Sequence, residues 1–112
     1  MDQHLLVLTT FPDRDSAMAC AQQLIRKNLA ACVNVLPSLS SVYEWNNDVQ
    51  VGEELLILIK TTGARYSQLE AQLRQMHPYE LPEIIATPIT HGFQGYLSWM
   101  EAQTAAARTP NE

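Results

Sequence analysis

The sequence has little of what would commit it to catalysis, to a disulfide scaffold or to binding a polyanion. Only two of its 112 residues are cysteine and only four are glycine, and no GxGxxG, GxxxxGK[ST] or GxSxG pattern occurs. These absences argue against a glycine-rich phosphate loop and a hydrolase nucleophile elbow. Basic residues are also scarce, seven against twelve acidic ones, and the net charge of −5 repels nucleic acid and anionic lipid. We therefore expect neither nucleic acid nor a membrane as partner.

The N-terminal residues and the cysteines indicate where the protein works. Residues 1–8 have no basic flank and only a short apolar run, which is typical of neither a signal peptide nor a membrane span. Cys20 and Cys32 are too far apart for a CxxC motif, and we expect both to be free thiols. A cytoplasmic protein is the prediction. The length and a hydrophobic fraction of 46% predict a single folded domain over 1–104, followed by a flexible tail over 105–112.

The order of apolar patterns predicts an α+β fold. Runs of period two and of period three to four alternate along the chain. They predict strands over 5–10, 31–45, 49–61 and 83–89, and helices over 13–28, 66–76 and 93–103. The second strand is expected to be interrupted at 37–41 before it resumes. This order matches a ferredoxin-like βαββαβ sandwich with an additional C-terminal helix.

The second and third strands form an unusually long hairpin. An arm of 13 residues spans roughly 40 Å, whereas a domain of this size has a radius of gyration of only about 13 Å. The hairpin tip should therefore project beyond its own domain. Residues 55–59 are apolar at both alternating positions, so both faces of the sheet need cover. Either the terminal helix with Trp99 or a partner subunit supplies the second cover, and the projecting hairpin favours an oligomer.

Candidate metal ligands are few and mostly dispersed. The imidazole, thiol and thioether donors considered are His4, Cys20, Cys32, Met76, His77 and His91. The best local feature is Met76–His77, whose thioether and imidazole suit Cu(I). The simpler interpretation is that Met76 completes an apolar helix stripe while His77 caps the helix. Cys32 alternates with apolar residues, which favours burial over a ligand role.

Five other residues are candidates for a binding cleft. Tyr43 and Trp45 share one face of the hairpin, where they line a pocket or, as we prefer, pack against a neighbouring subunit. Lys60 and Glu83 stand at strand ends and form either a polar-ligand site or a surface salt bridge. His91 lies in a loop between a strand and a helix, a common place for functional side chains and equally for turn and cap contacts.

Six short segments together resemble the CutA divalent-cation-tolerance family. They are LAACVN at 29–34, YEW at 43–45, KTT at 60–62, HPYELPE at 77–83, THG at 90–92 and YLSW at 96–99. Each segment alone is modest, but six in the right order and spacing are specific. The resemblance covers roughly residues 4–102.

The resemblance implies a cytoplasmic homotrimer of PII-like architecture whose hairpins embrace neighbouring subunits. It also implies a role in tolerance of copper or another divalent cation, without an organic cofactor. Some members bind copper through a first-strand cysteine and a His-His pair before the Pro-Tyr motif. In this sequence Thr9 stands at the cysteine position and Met76 at the first histidine, so His77 alone remains of that set. Cys32 matches another family cysteine and is an alternative thiol donor.

Two hypotheses of different classes follow. The first is a metal-binding trimer that uses His77 and Met76, either with or without the thiol of Cys32. The second is a PII-like sensor or scaffold that takes a small polar ligand or a protein partner in an inter-subunit cleft. That cleft would be lined by Tyr43, Trp45, Lys60, Glu83 and His91. No catalytic constellation is evident in the sequence, so we expect the protein not to be an enzyme.

Overall fold

The computed structural model describes residues 3–105, which form one four-stranded antiparallel sheet and three helices. In chain order the elements are β1 (His4–Phe11), α1 (Arg14–Arg26), β2 (Cys32–Trp45), β3 (Asp48–Thr62), α2 (Gly63–Met76), β4 (Ile84–Pro88) and α3 (Gln94–Gln103). The strand order is β2-β3-β1-β4, so β4 is an edge strand as predicted. The predicted α+β fold and element order are confirmed. Within the described residues, none of the helices has the length and apolar character needed to cross a bilayer.

Helices α1 and α2 pack on one face of the sheet, which we call the inner face. The core between them consists of side chains that are at most 5% exposed: Val7, Phe11, Ala17, Cys20, Leu24, Leu29, Ala30, Ile57, Ile59, Leu69 and Leu73. Alternation along the strands explains the set, since Val7 lies opposite Ile59 in the β1/β3 register. The face of each strand that carries apolar residues at alternate positions is therefore the face on which the helices pack.

Both ends of α1 are determined by local polar contacts. Asp13 is the N-cap, and its carboxylate accepts the Ser16 backbone N–H at 2.9 Å, which lowers the pKa of Asp13. At the other end Asn28 adopts a left-handed conformation, with φ of 59°, and the Leu29 N–H donates to the Leu24 carbonyl. The buried Thr61 hydroxyl then donates to the Leu29 carbonyl at 2.7 Å, which ties the helix end to β3.

Helix α3 covers one end of the opposite, outer face. Its Met100 is fully buried, and a Glu101 carboxylate oxygen lies within hydrogen-bond distance of His4 Nε2, at 2.7 Å. The remaining outer face is open in the single chain, where Leu36 is 38% and Ile85 is 55% exposed. The predicted terminal helix therefore supplies part of the cover, and cover of the rest by a partner subunit stays a prediction. Residues 106–112 of the predicted tail lie outside the described residues.

The hairpin is continuous, which differs from the predicted interruption at 37–41. β2 and β3 stay paired from Cys32/Lys60 to Trp45/Asp48, with a register shift between Leu36 and Leu39. A β-bulge absorbs the one extra residue of β2, and Pro37 is tolerated because β2 is an edge strand. The turn consists of two asparagines at 46 and 47, both with positive φ. The molecule measures 47 × 29 × 23 Å, in agreement with a projecting hairpin.

Candidate functional site

The His77 side chain joins three parts of the fold. The His77 backbone N–H caps the C-terminus of α2 by donating to the Leu73 carbonyl at 2.8 Å. The residue is 8% exposed, and its ring centroid lies 4.2 Å from that of Phe11 and 5.0 Å from that of Tyr79. Nε2 lies 2.7 Å from the Thr10 carbonyl oxygen, and the Tyr79 backbone N–H donates to Nδ1 at 3.1 Å. The predicted cap role is therefore present, and it also anchors the segment after α2 to the end of β1.

These two hydrogen bonds determine the protonation state of His77. A carbonyl oxygen only accepts, so Nε2 carries the proton, and Nδ1 must be bare to accept from Tyr79. Burial lowers the pKa of His77 below its ordinary value, against weaker opposing effects of the Thr10 hydrogen bond and the Glu54 charge. The imidazole is thus neutral at pH 7 with both nitrogens engaged. A metal at Nδ1 would have to displace the Tyr79 N–H.

The other predicted ligands do not all converge on His77. Met76 is adjacent to it and packs partly against the core. The side chain of Thr9 is fully buried, and its hydroxyl makes no hydrogen bond within the described residues. Cys32 lies opposite Lys60 of β3, whereas Thr10, whose carbonyl contacts His77, lies opposite Leu56. The four residues between these two positions of β3 separate Cys32 from the Thr10 end of the sheet by about 13 Å along the strand.

The scarcity of grouped metal-binding side chains agrees with the separation of Cys32 from His77. Among residues 3–105, no three His, Cys, Asp or Glu side chains are grouped so that they could hold a metal ion. The structure therefore keeps Met76 and His77 together and places Cys32 at the other end of the sheet. Metal binding by these residues stays a prediction, and within one chain it would involve the adjacent thioether and imidazole only.

The surroundings of Cys32 form a separate cluster at that far end. Lys60 donates to the Asn34 side-chain oxygen, and Tyr96 of α3 contacts Cys32. Burial, followed by this neighbouring thiol, raises the pKa of Tyr96. His91 is exposed and its Nδ1 lies 3.0 Å from the hydroxyl of its neighbour Thr90. The predicted proximity of Lys60 and Glu83 is absent, because the two lie at opposite ends of the sheet.

A cavity of about 780 Å³ lies between the hairpin and the segment that follows α2. Three of the five residues predicted for a cleft line it together: Tyr43, Trp45 and Glu83. Lys60 and His91 are not among its lining residues. The remaining lining residues are Thr10, Ser41, Val42, Asn46, Asp48, Gln50, Glu54, Tyr79, Glu80 and Leu81. The structure thus places the two hairpin aromatics and Glu83 on one concave surface. That this surface is a binding cleft completed by another subunit stays a prediction.

Glu54 and Tyr79 are site residues that the sequence prediction missed. The Tyr79 hydroxyl donates to a Glu54 carboxylate oxygen at 2.6 Å. Burial, followed by this hydrogen bond and the Glu54 charge, raises the pKa of Tyr79 well above its ordinary value. Tyr79 lies inside the HPYELPE segment, which could have drawn attention to it. Glu54 gives no such signal, because it is one of two adjacent glutamates in a polar strand segment.

Comparison with known proteins identifies the family. The family model described as CutA1 divalent ion tolerance protein matches residues 5–103, nearly the whole described chain. The chain belongs to this family. The resemblance predicted from the six sequence segments is therefore confirmed.

Curated and solved CutA1 relatives agree over most of the chain. The Thermus thermophilus divalent-cation tolerance protein CutA is 41% identical over 99 residues, which cover 88% of this chain and 96% of that protein. The chloroplastic CutA protein of Arabidopsis thaliana is 39% identical over 89% of this chain but only 55% of its own length. The crystal structure of CutA1 from Oryza sativa is similar with a TM-score of 0.90 and 35% identity, over 94% of this chain and 96% of that one. These relatives support the same fold and family.

Proposed function

We propose that the protein serves divalent-cation tolerance as a cytoplasmic homotrimer that binds its ligands and does not transform them. The observation that carries the proposal is the family match over residues 5–103. Its relative from Thermus thermophilus bears the name divalent-cation tolerance protein, which supports the same role for this chain. Loss of the gene should sensitise the host to copper or another divalent cation, and the wild-type chain should restore growth. Unchanged sensitivity after gene loss would contradict the proposal.

The apolar surface left open in one chain supports the homotrimer. Leu36 and Ile85 on the outer face and Val49 and Val51 on the hairpin arm are each between 38% and 73% exposed. Large apolar side chains left exposed on both of these surfaces favour burial in an interface between subunits. Size-exclusion chromatography with light scattering should give three times the 12.6 kDa chain mass. A monomeric mass at micromolar concentration would refute the assembly.

For the metal we propose copper at the adjacent Met76 thioether and His77 imidazole. Cu(I) binds soft thioether and borderline imidazole donors of this kind. To free Nδ1 for the metal, the protein loses the hydrogen bond from the Tyr79 N–H, which costs about 1 kcal/mol. Titration calorimetry with Cu(I) under a reducing competitor, and with Cu(II), tests the proposal. Met76→Leu and His77→Ala should weaken binding strongly. Cys32→Ser is the matched control and should leave binding unchanged, because Cys32 lies about 13 Å away along the sheet.

The opposite pattern would overturn the metal site. If Cys32→Ser abolished binding, or if His77→Ala left the heat unchanged, copper would bind elsewhere. His77→Ala also removes two hydrogen bonds, so its fold must be checked by circular dichroism. Met76→Leu conserves volume and keeps the test meaningful if His77→Ala unfolds.

A second candidate function is a ligand-binding sensor or scaffold of the PII-like kind. The observation that favours it is the cavity that brings Tyr43, Trp45 and Glu83 together. Its volume lies within the range of small-molecule sites. Substitution of Tyr43 or Glu83 should then affect function more than substitution of Met76. Equal metal sensitivity of cells that carry Tyr43→Ala and wild type would argue against this second role.

A further inference from the structure

The charged side chains that line the cavity between the hairpin and the segment after α2 are all acidic. Four carboxylates line it, from Asp48 and Glu54 of β3 and from Glu80 and Glu83 of the following segment. None of the described residues that line it is lysine, arginine or histidine. The Tyr79 hydroxyl donates to a Glu54 carboxylate oxygen at 2.6 Å, which places this charge at the cavity wall. The interior of the cavity is therefore at negative potential, which favours a cation.

The same cavity presents aromatic faces beside these carboxylates. Tyr43 and Trp45 are two residues apart on β2, so their rings lie on one side of the strand, and about half of each is exposed. Tyr79 faces them from the segment after α2. Aromatic faces attract cations of diffuse charge once these shed their water.

This combination selects among cations. A compact metal ion needs several convergent donors, and within residues 3–105 no group of three His, Cys, Asp or Glu side chains provides them. An alkylated ammonium group carries its charge on methyl and methylene surface, which suits a wall of rings with carboxylates at the rim. The volume of about 780 Å³ admits a small molecule rather than a folded partner.

We propose that this cavity binds a small organic ammonium ion, held by cation–π contact with Tyr43, Trp45 and Tyr79 and by the charge of Glu54. The inference rests on the second function proposed above, the ligand-binding cleft, and names its ligand class. It does not depend on metal binding by His77. Binding of a free amine is proposed, and occupation by a lysine side chain of another copy is distinguished by the experiment.

The experiment uses the intrinsic fluorescence of Trp45. Trp99→Phe removes the other tryptophan, which lies in α3 beside Tyr96, and leaves a single reporter in the cavity. The full chain in its assembled state, verified by light scattering, is titrated with choline chloride at constant ionic strength. The parallel titration uses 3,3-dimethylbutan-1-ol, which has the shape of choline without its charge. Choline should give a saturable change, and the neutral alcohol should bind at least about fivefold more weakly.

Paired variants separate specific binding from general attraction. Glu54→Gln should weaken choline binding about fivefold to tenfold, and Tyr43→Leu about fivefold. Glu53→Gln makes the same change of net charge one residue away, where the carboxylate accepts from Ser40 at 2.7 Å and does not line the cavity. It should alter binding less than twofold. Circular dichroism and the assembled mass verify that each variant folds.

The outcomes assign each failure to its cause. If the neutral alcohol binds as well as choline, the cavity binds ligands but the ammonium inference is overturned. If neither binds to the assembled protein, both the inference and the ligand-binding cleft fail. If choline binds only to dissociated chains, another copy occupies the cavity and the inference is overturned. Equal effects of Glu53→Gln and Glu54→Gln would also overturn it, because they would show non-specific attraction.

Discussion

Acidification should destabilise this protein through His77 in particular. In the folded chain Nε2–H donates to the Thr10 carbonyl and bare Nδ1 accepts the Tyr79 N–H. A proton on Nδ1 would point at the Tyr79 backbone N–H, so two donors would face each other around a residue that is only 8% exposed. Burial accordingly lowers the pKa of His77 in the fold, so the unfolded chain takes up its proton first as the pH falls. The contribution of His77 to stability is therefore complete above about pH 6.5 and is lost progressively below it.

The magnitude follows from linkage. One proton taken up only by the unfolded state changes the free energy of unfolding by at most about 1.4 kcal/mol per pH unit. Between about pH 7.5 and pH 5.5 only the last unit lies below the unfolded pKa, so the loss from this residue is at most about 1.4 kcal/mol. Carboxylates also titrate in acid. The quantity to measure is therefore the difference in pH dependence between wild type and His77→Gln, which keeps a donor for Thr10 but does not titrate.

Urea unfolding at fixed protein concentration, followed by circular dichroism, measures both proteins at the two pH values. The wild type should lose more stability than His77→Gln on acidification, by at most about 1.4 kcal/mol. His91→Gln is the matched control. Its exposed ring contacts only the neighbouring Thr90 among the hydrogen bonds of the described chain, and this variant should behave like the wild type. Equal pH dependence in wild type and His77→Gln, or a greater acid loss in the variant, would refute the assignment of a buried neutral imidazole.

Three further predictions concern buried polar groups. Thr9→Val should raise the free energy of unfolding by about 1 kcal/mol in urea titrations, because the fully buried hydroxyl has no hydrogen-bond partner among the described residues. A loss of stability would show that the Thr9 hydroxyl does make a hydrogen bond in the folded protein. Tyr79→Phe should lower it by about 1 kcal/mol, since the bond to Glu54 is lost, and an unchanged midpoint would mean that this bond contributes nothing. Burial raises the pKa of Cys20 to about 11, so at about pH 8 a thiol reagent should modify Cys32 before Cys20. Peptide mass mapping measures the order of modification, and the reverse order would contradict the burial of Cys20.

The sequence allowed the fold to be predicted wherever the signal is local. Alternating apolar residues in the strands, Asp13 before the first helix and His77 after the second each act within a few residues of their own position. The bulge between Leu36 and Leu39 was not predictable, because Pro37 with serine neighbours indicates a break and a bulge equally. Only the pairing of β2 with β3, established over many residues on both sides, decides between them.

The site could be predicted only in part, because it depends on register and on long-range packing. Tyr43 and Trp45 are two residues apart, so their shared face follows from strand periodicity alone. The contact of Tyr79 with Glu54 joins residues 25 apart in sequence and depends on how the segment after α2 crosses the hairpin. The separation of Cys32 from the end of β1 likewise follows from the register of β3, which no local motif encodes.

Because the two proposed binding sites share Tyr79, we expect binding at one to change the affinity at the other. The Tyr79 backbone N–H donates to His77 Nδ1, while its hydroxyl donates to Glu54 at the cavity. A metal that takes Nδ1 must release the backbone of Tyr79 and so disturbs the wall that carries its ring. Any such coupling is reciprocal: the factor by which copper changes the affinity for choline must equal the factor by which choline changes the affinity for copper. Tolerance of a divalent cation and occupancy of the acidic, aromatic cavity would then be two observations of one conformational equilibrium at residues 77–79, and not two unrelated functions of the chain.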